Sequence, residues 1–162
     1  MEKLRNQYDV QEEFFMDAEP NGLEPQCFFN EITWCINWFQ AIMKRSNAGC
    51  QLLFCDRSPY SAAVYAKSNG DLVTQVCQRM IEELKAVGVR FVVVRVSVPR
   101  DELWKRILKR LEQFPERKKY GEHVRTWMNS TEDWYDKHAK LWDYTVENTD
   151  VYQTCKFVET IK

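Results

Sequence analysis

The segment of this sequence best suited to chemistry is Phe54-Cys55-Asp56-Arg57-Ser58-Pro59-Tyr60-Ser61. An acid and a guanidinium leave an apolar run together and meet the expected start of a helix. A helix N-terminus carries free N–H donors and partial positive charge, which favour an anion. Arg57 can hold a phosphate or a sugar hydroxyl, and Asp56 can hold Mg²⁺ directly or through water. The plain alternative is an N-cap beside a surface ion pair.

A second cluster lies in Asp101–Tyr120, DELWKRILKRLEQFPERKKY, where seven Lys and Arg fall in positions 105–119. Arg106 and Arg110 are four residues apart and share a helix face. Arg117, Lys118 and Lys119 follow a break at Pro115. A basic segment that bends midway, with residues 111–119 as its flap, suits a lid closing over polyphosphate. Read alone, it is also a solvated charged helix.

Two further groups are candidates. In the Gly- and Pro-free stretch 26–45, Asn30, Trp34 and Asn37 recur at i, i+4 and i+7. Amide, indole and amide on one stripe can stack a planar base and read its edge. Phe28, Cys35, Phe39 and Ile42 form a separate apolar stripe that packs on a sheet. The alternative is that Trp34 and Trp38 are core. Glu12 and Glu13 are adjacent in an expected strand, so only one can face a given cleft. A carboxylate there can act as general base toward a hydroxyl, or be a strand-edge charge.

The elements that must position these residues alternate. Residues 2–8 read as the tail of a helix, Asp9–Phe15 as a strand, 16–25 as a loop and 26–45 as a helix. Cys50–Cys55 reads as a buried parallel strand. Ser58 suits an N-cap and Pro59 a first helical position. A helix over 71–86 stops at Gly88, and Arg90–Val96 (RFVVVRV) is a second buried strand. Asp101–Glu112 and 120–140 read as helices, Tyr144–Asn148 as a last strand and 151–161 as a closing helix. Alternation of this kind predicts an α/β domain, a parallel sheet with helices on both faces. Ligands of such sheets bind at the carboxyl ends of the strands, which here are Glu12–Asp17, Asp56–Ser58, Ser97–Arg100 and Asn148–Val151.

Composition bounds the rest. The 162 residues hold 23 basic and 24 acidic side chains, a net charge of −1, so no overall field draws nucleic acid or an anionic membrane. An anionic ligand therefore needs a local Arg/Lys cluster. Length fits one domain. No apolar run approaches a membrane span, and the N-terminus has no signal-like apolar region. Six Cys without a CxxC pair read as reduced, mostly buried thiols of a cytoplasmic protein, and zinc is not expected.

Taken together, these residues resemble the thymidylate kinase and deoxynucleoside kinase branch of the P-loop kinases, over about residues 3–160. The matching features, in order, are Asp56-Arg57-Ser58 for the strand-end (D/E)R(S/Y), VRVSVPRDELWKRILKR for the strand, Pro and R-I-x-x-R helix, an Arg-rich lid, and Asp143–Asn148 for a terminal D-Y-x-V-x-N strand. The resemblance implies ATP-dependent phosphoryl transfer to a nucleoside or a nucleoside monophosphate, with ATP and Mg²⁺ as cofactors. By it, Glu12 activates the acceptor hydroxyl, Asp56 serves Mg²⁺ and Arg57 binds near the accepting oxygen. Asn30 reads the base and Trp34 walls the pocket. Arg106, Arg110 and Arg117 contact ATP phosphates. Relatives are commonly dimers, so a homodimer is one implied assembly. Glu13 stands where deoxynucleoside kinases have Pro, which leaves Glu12 and Glu13 both open.

One feature of that family does not occur in the 162 residues: a G-x-x-x-x-G-K-[ST] loop, which cradles ATP phosphates with backbone N–H groups and a Lys. MEKLRNQY matches the end of the family's first helix and DVQEEFF its second strand. The expectation is a chain that begins inside a longer relative, without strand 1 and the P-loop. Its transfer activity is then impaired, or it is a non-catalytic remnant that binds a nucleotide or a protein. In the family strand 1 lies between the strands matched by CQLLFC and RFVVVRV. Without it those two strands lose a shared neighbour, and self-association is expected.

Overall fold

A computed structural model of the chain describes residues 2–12, 23, 26–66, 69–148, 156, 157 and 160. They form an α/β architecture that divides into two compact units, residues 1–91 and 92–162.

The first unit carries α1 (Glu2–Arg5), β1 (Asp9–Gln11), α2 (Phe28–Asn47), β2 (Leu53–Cys55), α3 (Ser61–Tyr65) and α4 (Gly70–Ala86). Its core lies between α2, α3 and α4. Trp34, Cys35, Trp38, Phe39 and Ile42 are buried on α2, and Val73, Cys77 and Ile81 on α4. Both sets follow the helical repeat, so each helix turns one stripe inward. Phe91 closes on that core, its ring centroid 6.4 Å from Trp38 and 6.3 Å from Phe39. The two long helices end alike. Gly49 and Gly88 adopt φ +89° and +91°, a conformation that costs glycine little. The following amides, of Cys50 and Val89, then donate to the carbonyls of Arg45 and Leu84. Lys44 and Arg45 in the last turn of α2 also complement its dipole.

The second unit carries β3 (Val94–Ser97), α5 (Arg100–Gln113), a 3₁₀ helix over Pro115–Tyr120, α6 (Arg125–Lys137), a 3₁₀ turn over Ala139–Leu141 and β4 (Tyr144–Glu147). Ile107 and Leu111 of α5 pack on Met128 of α6, with Leu103 and Trp104 beside them. Pro115 ends α5 as expected: a residue before proline is driven to extended backbone, and Phe114 has φ −132° and ψ 71°. No helix among the described residues is long and apolar enough to cross a membrane.

Among the described residues the strands form two parallel pairs, one in each unit, β1 with β2 and β3 with β4. Asp9 pairs with Leu53 and Gln11 with Cys55; Val94 pairs with Tyr144 and Ser97 with Glu147. Strands 50–55 and 90–96 shorten at their starts, to Leu53 and Val94. Apolar composition marked these segments as strands, but a ladder forms only where a neighbour supplies the matching N–H and C=O groups. Among the described residues β2 and β3 each have one strand neighbour. Their residues are half-buried rather than buried, except Val96, which is exposed.

The helix after β2 is also corrected. It begins at Ser61 with Tyr60 as its cap residue and no side-chain cap. Ser58 does not cap it; its carbonyl accepts from the Ser61 amide at 3.0 Å, forming a turn that delays the helix. The strand ending at Phe15 is described only to Gln11, and residues 13–22, Glu13 included, lie outside the described residues, as does most of 149–161.

Candidate functional site

The carboxyl ends of β1 and β2 bring Glu12 and Asp56-Arg57 together. Gln11 and Cys55 are register partners, and the Asp56 amide donates to the Gln11 carbonyl at 2.8 Å. Parallel strands deliver both continuations to the same side, as α/β sites require. Glu12 is exposed and ion-paired with Arg5 of α1. Asp56 is half-buried, and no hydrogen bond or ion pair engages its carboxylate among the described residues.

Arg57 has φ +79°, the only non-glycine residue with positive φ among those described. A side chain there is strained by roughly 1 kcal/mol or more, and such strain persists where surrounding contacts enforce it. One of those contacts is visible: Nη1 donates to the Tyr65 hydroxyl at 3.1 Å, and the guanidinium lies 5.8 Å from the Tyr65 ring centroid. Tyr65 at the end of α3 thus clamps Arg57. Nothing in the sequence spacing marks that role.

The Asn30, Trp34, Asn37 stripe divides in the structure. Trp34 belongs to the buried face, Asn30 is half-buried and Asn37 is exposed. At about 100° per residue, Asn37 sits roughly 130° round α2 from the centre of the buried stripe, and Trp34 only about 70°. Asn30 lies about 110° round, within about 20° of Asn37, so the three residues share one flank of α2 and differ in depth. Phe28, assigned to the apolar stripe, is exposed at the first turn.

The same stripe holds a group that residue spacing does not single out. Glu31 is 0% exposed, and neither carboxylate oxygen has a hydrogen-bond partner among the described residues. Burial pushes its carboxyl up to about 8, so it is protonated at neutral pH. The signal was available: an acid stood at i−3 and i−4 from Trp34 and Cys35. One turn on, the thiol of Cys35 lies 3.3 Å from that of Cys77 on α4, and both point at the Pro59 carbonyl, at 3.5 and 3.4 Å. The hydrogen bond from Cys35, with burial, raises the Cys77 thiol well above its usual range. These two cysteines are buried, while Cys27, Cys50 and Cys55 are half-buried rather than buried as expected, and Cys155 lies outside the described residues.

In the second unit the three candidate arginines separate. Arg106 donates to Glu102 at 3.0 Å and to the Asn148 carbonyl at 3.3 Å. Arg110 and Arg117 instead converge on Glu122, at 2.9 Å and at 2.6–3.1 Å. Burial alone would raise the Glu122 carboxyl, but the hydrogen bond from Arg117 and the charges of both arginines outweigh it and hold it below the usual carboxylate range. Glu122 follows Arg117 across a turn, outside any helical repeat, so no periodicity announced it.

A cleft of about 280 Å³ lies where β3 and β4 end, lined by Arg95, Ser97, Pro99, Arg100, Asp136 and Glu147 among others. Arg95 donates to Asp136 at 2.7 Å and Glu132 at 3.1 Å; Arg100 donates to Asp133 at 2.7 Å and Asp136 at 3.0 Å. The hydrogen bond from Arg95 pulls the Asp136 carboxyl below its ordinary value. These arginines are committed to neighbouring carboxylates, so the cleft is an ion-pair network rather than an anion site.

Among the described residues no three His, Cys, Asp or Glu side chains gather as a metal site. Mg²⁺ needs few protein ligands, and the unengaged Asp56 carboxylate fits a one-carboxylate, water-completed role. The chain matches no family model, no curated protein and no solved structure.

Proposed function

We propose that the chain carries the acceptor and lid parts of a nucleoside or nucleoside-monophosphate phosphotransferase. The observation that carries this reading is the group at the ends of β1 and β2: Glu12 after one strand, Asp56 and a strained, Tyr65-clamped Arg57 after the other. Strain held by a specific partner at the carboxyl end of a parallel pair is where α/β proteins build sites.

In this reading Arg57 holds the accepting oxygen or an acceptor phosphate by charge-assisted hydrogen bonds. Glu12 takes the proton of the attacking hydroxyl, for which it leaves Arg5. Asp56 would hold Mg²⁺, whose charge offsets that of the transferring phosphate. Trp34 and Asn30, at the margin of the α2 core, wall and read the base. Arg110 and Arg117 of the lid contact ATP phosphates, while Arg106, tied to Glu102 and the Asn148 carbonyl, contributes at most from the flank.

A second reading, a non-catalytic chain that binds a nucleotide or a protein, is favoured by one sequence fact: no G-x-x-x-x-G-K-[ST] occurs in the 162 residues. Calorimetric titration with a panel of nucleosides and nucleoside monophosphates tests what both nucleotide readings share. One class of the panel is expected to bind, and Trp34→Ala to weaken it. If no member of the panel binds, the acceptor-site assignment is wrong.

A further inference from the structure

We propose that Glu122 is a positioning residue that holds Arg110 and Arg117 together as one paired site for polyphosphate. The proposal rests on the lid reading above, and its test separates the two.

The geometry is that of a pedestal. Glu122 is 7% exposed, while the Arg110 and Arg117 side chains are 46% and 35% exposed. Arg117 grips the carboxylate side-on, with Nε at 3.1 and 3.0 Å from Oε1 and Oε2 and Nη2 at 2.6 Å from Oε1. Arg110 reaches Oε2 end-on through Nη2 at 2.9 Å. The Glu122 side chain is nearly buried, while both arginine side chains stay partly exposed. Arg110 comes from the last turn of α5 and Arg117 from the 3₁₀ helix beyond Pro115. Glu122 therefore closes the bend at Phe114, fixing two cations from different elements at one point.

Two guanidiniums so close repel each other, and free arginine side chains spread apart. A buried carboxylate offsets that repulsion and fixes both planes. A guanidinium has five N–H donors, and Arg110 commits one nitrogen to Glu122 with no other partner among the described residues. The cluster keeps one net positive charge and a fixed pair of donor planes, which suits adjacent phosphate oxygens. Because the arginines hold the Glu122 carboxyl below its usual range, the pedestal stays ionised at neutral pH.

Two physical pictures predict opposite signs. If Glu122 merely neutralises the arginines, its loss adds a positive charge and tightens anion binding. If it positions them, its loss weakens binding despite that added charge. The test is calorimetric titration of the full 162-residue chain with inorganic tripolyphosphate, at low and moderate salt. The wild type is expected to bind, less tightly as salt rises. Glu122→Gln is expected to bind about tenfold more weakly with an unchanged circular dichroism spectrum, and Glu122→Asp to recover part of the loss. Equal or tighter binding by Glu122→Gln overturns the positioning role and leaves the lid reading standing. No binding by the wild type overturns the lid reading, and the pedestal with it. If Glu122→Gln does not fold, Arg117→Lys decides: it keeps the charge but cannot pair side-on. About a fivefold to tenfold loss is then expected, and unchanged affinity overturns the proposal.

Discussion

Arg57→Ala is expected to lower ATP-dependent phosphorylation of the acceptor by roughly two to three orders of magnitude, because stabilising charge is the main catalytic term in phosphoryl transfer. The residue's backbone provides a control that separates chemistry from folding. At φ +79° alanine retains the strain and loses the Tyr65 hydrogen bond, so Arg57→Ala should also melt lower. Arg57→Gly relieves the strain, worth about 1 kcal/mol, and should melt at or above the alanine variant. Transfer rates and thermal melts of both variants check this. Equal loss of transfer in a more stable glycine variant assigns the effect to the guanidinium. Near-wild-type transfer in either variant removes Arg57 from the site.

Glu31→Gln is expected to stabilise the chain at pH 7–8 and to flatten its pH dependence. Burial pushes the folded carboxyl up to about 8 against an ordinary 4.5, with no hydrogen-bond partner for it among the described residues. Folding therefore retains a proton that the unfolded chain has released over that interval. Stability falls as pH rises wherever the native state binds more protons. The contribution is fully present below about pH 4.5 and is lost progressively as pH rises to about 8. At pH 7 the loss is on the order of 3 kcal/mol. Gln keeps the shape and polar atoms without the ionisation, so urea midpoints for Glu31→Gln should vary little from pH 5 to 8 while those of the wild type fall. Parallel pH profiles for the two proteins would mean that Glu31 is not held protonated.

The placement of Asp56-Arg57 at a strand end was readable because its elements are local. CQLLFC is apolar enough to declare a strand, and Asp56-Arg57 sits where that strand must stop. The turn at Ser58–Tyr60 was not readable: Ser58 and Pro59 satisfy the rules for a helix start, yet the Ser58 carbonyl takes the Ser61 amide and the helix begins later. In α2 the shared flank of Asn30, Trp34 and Asn37 was readable but its depth was not: the buried stripe is centred between Cys35 and Trp38, which takes Trp34 into the core and leaves Asn37 in solvent. The burial of Glu31 was not readable from its type, since side-chain type is a weak guide when tertiary packing decides. Glu122 was illegible for a different reason. Its partners come from α5 and the 3₁₀ helix, and only the bend at Phe114-Pro115 brings them to it. Extent of pairing was likewise non-local: RFVVVRV declares a strand, but the ladder runs only from Val94, where Tyr144 supplies a partner.

Acceptor-dependent formation of ADP from Mg·ATP, measured for the 162-residue chain against nucleosides and nucleoside monophosphates, tests the central claim most directly. The account predicts slow turnover that requires one acceptor class and disappears in Arg57→Ala. ADP formation that ignores the acceptor, or none with any of them, would contradict it.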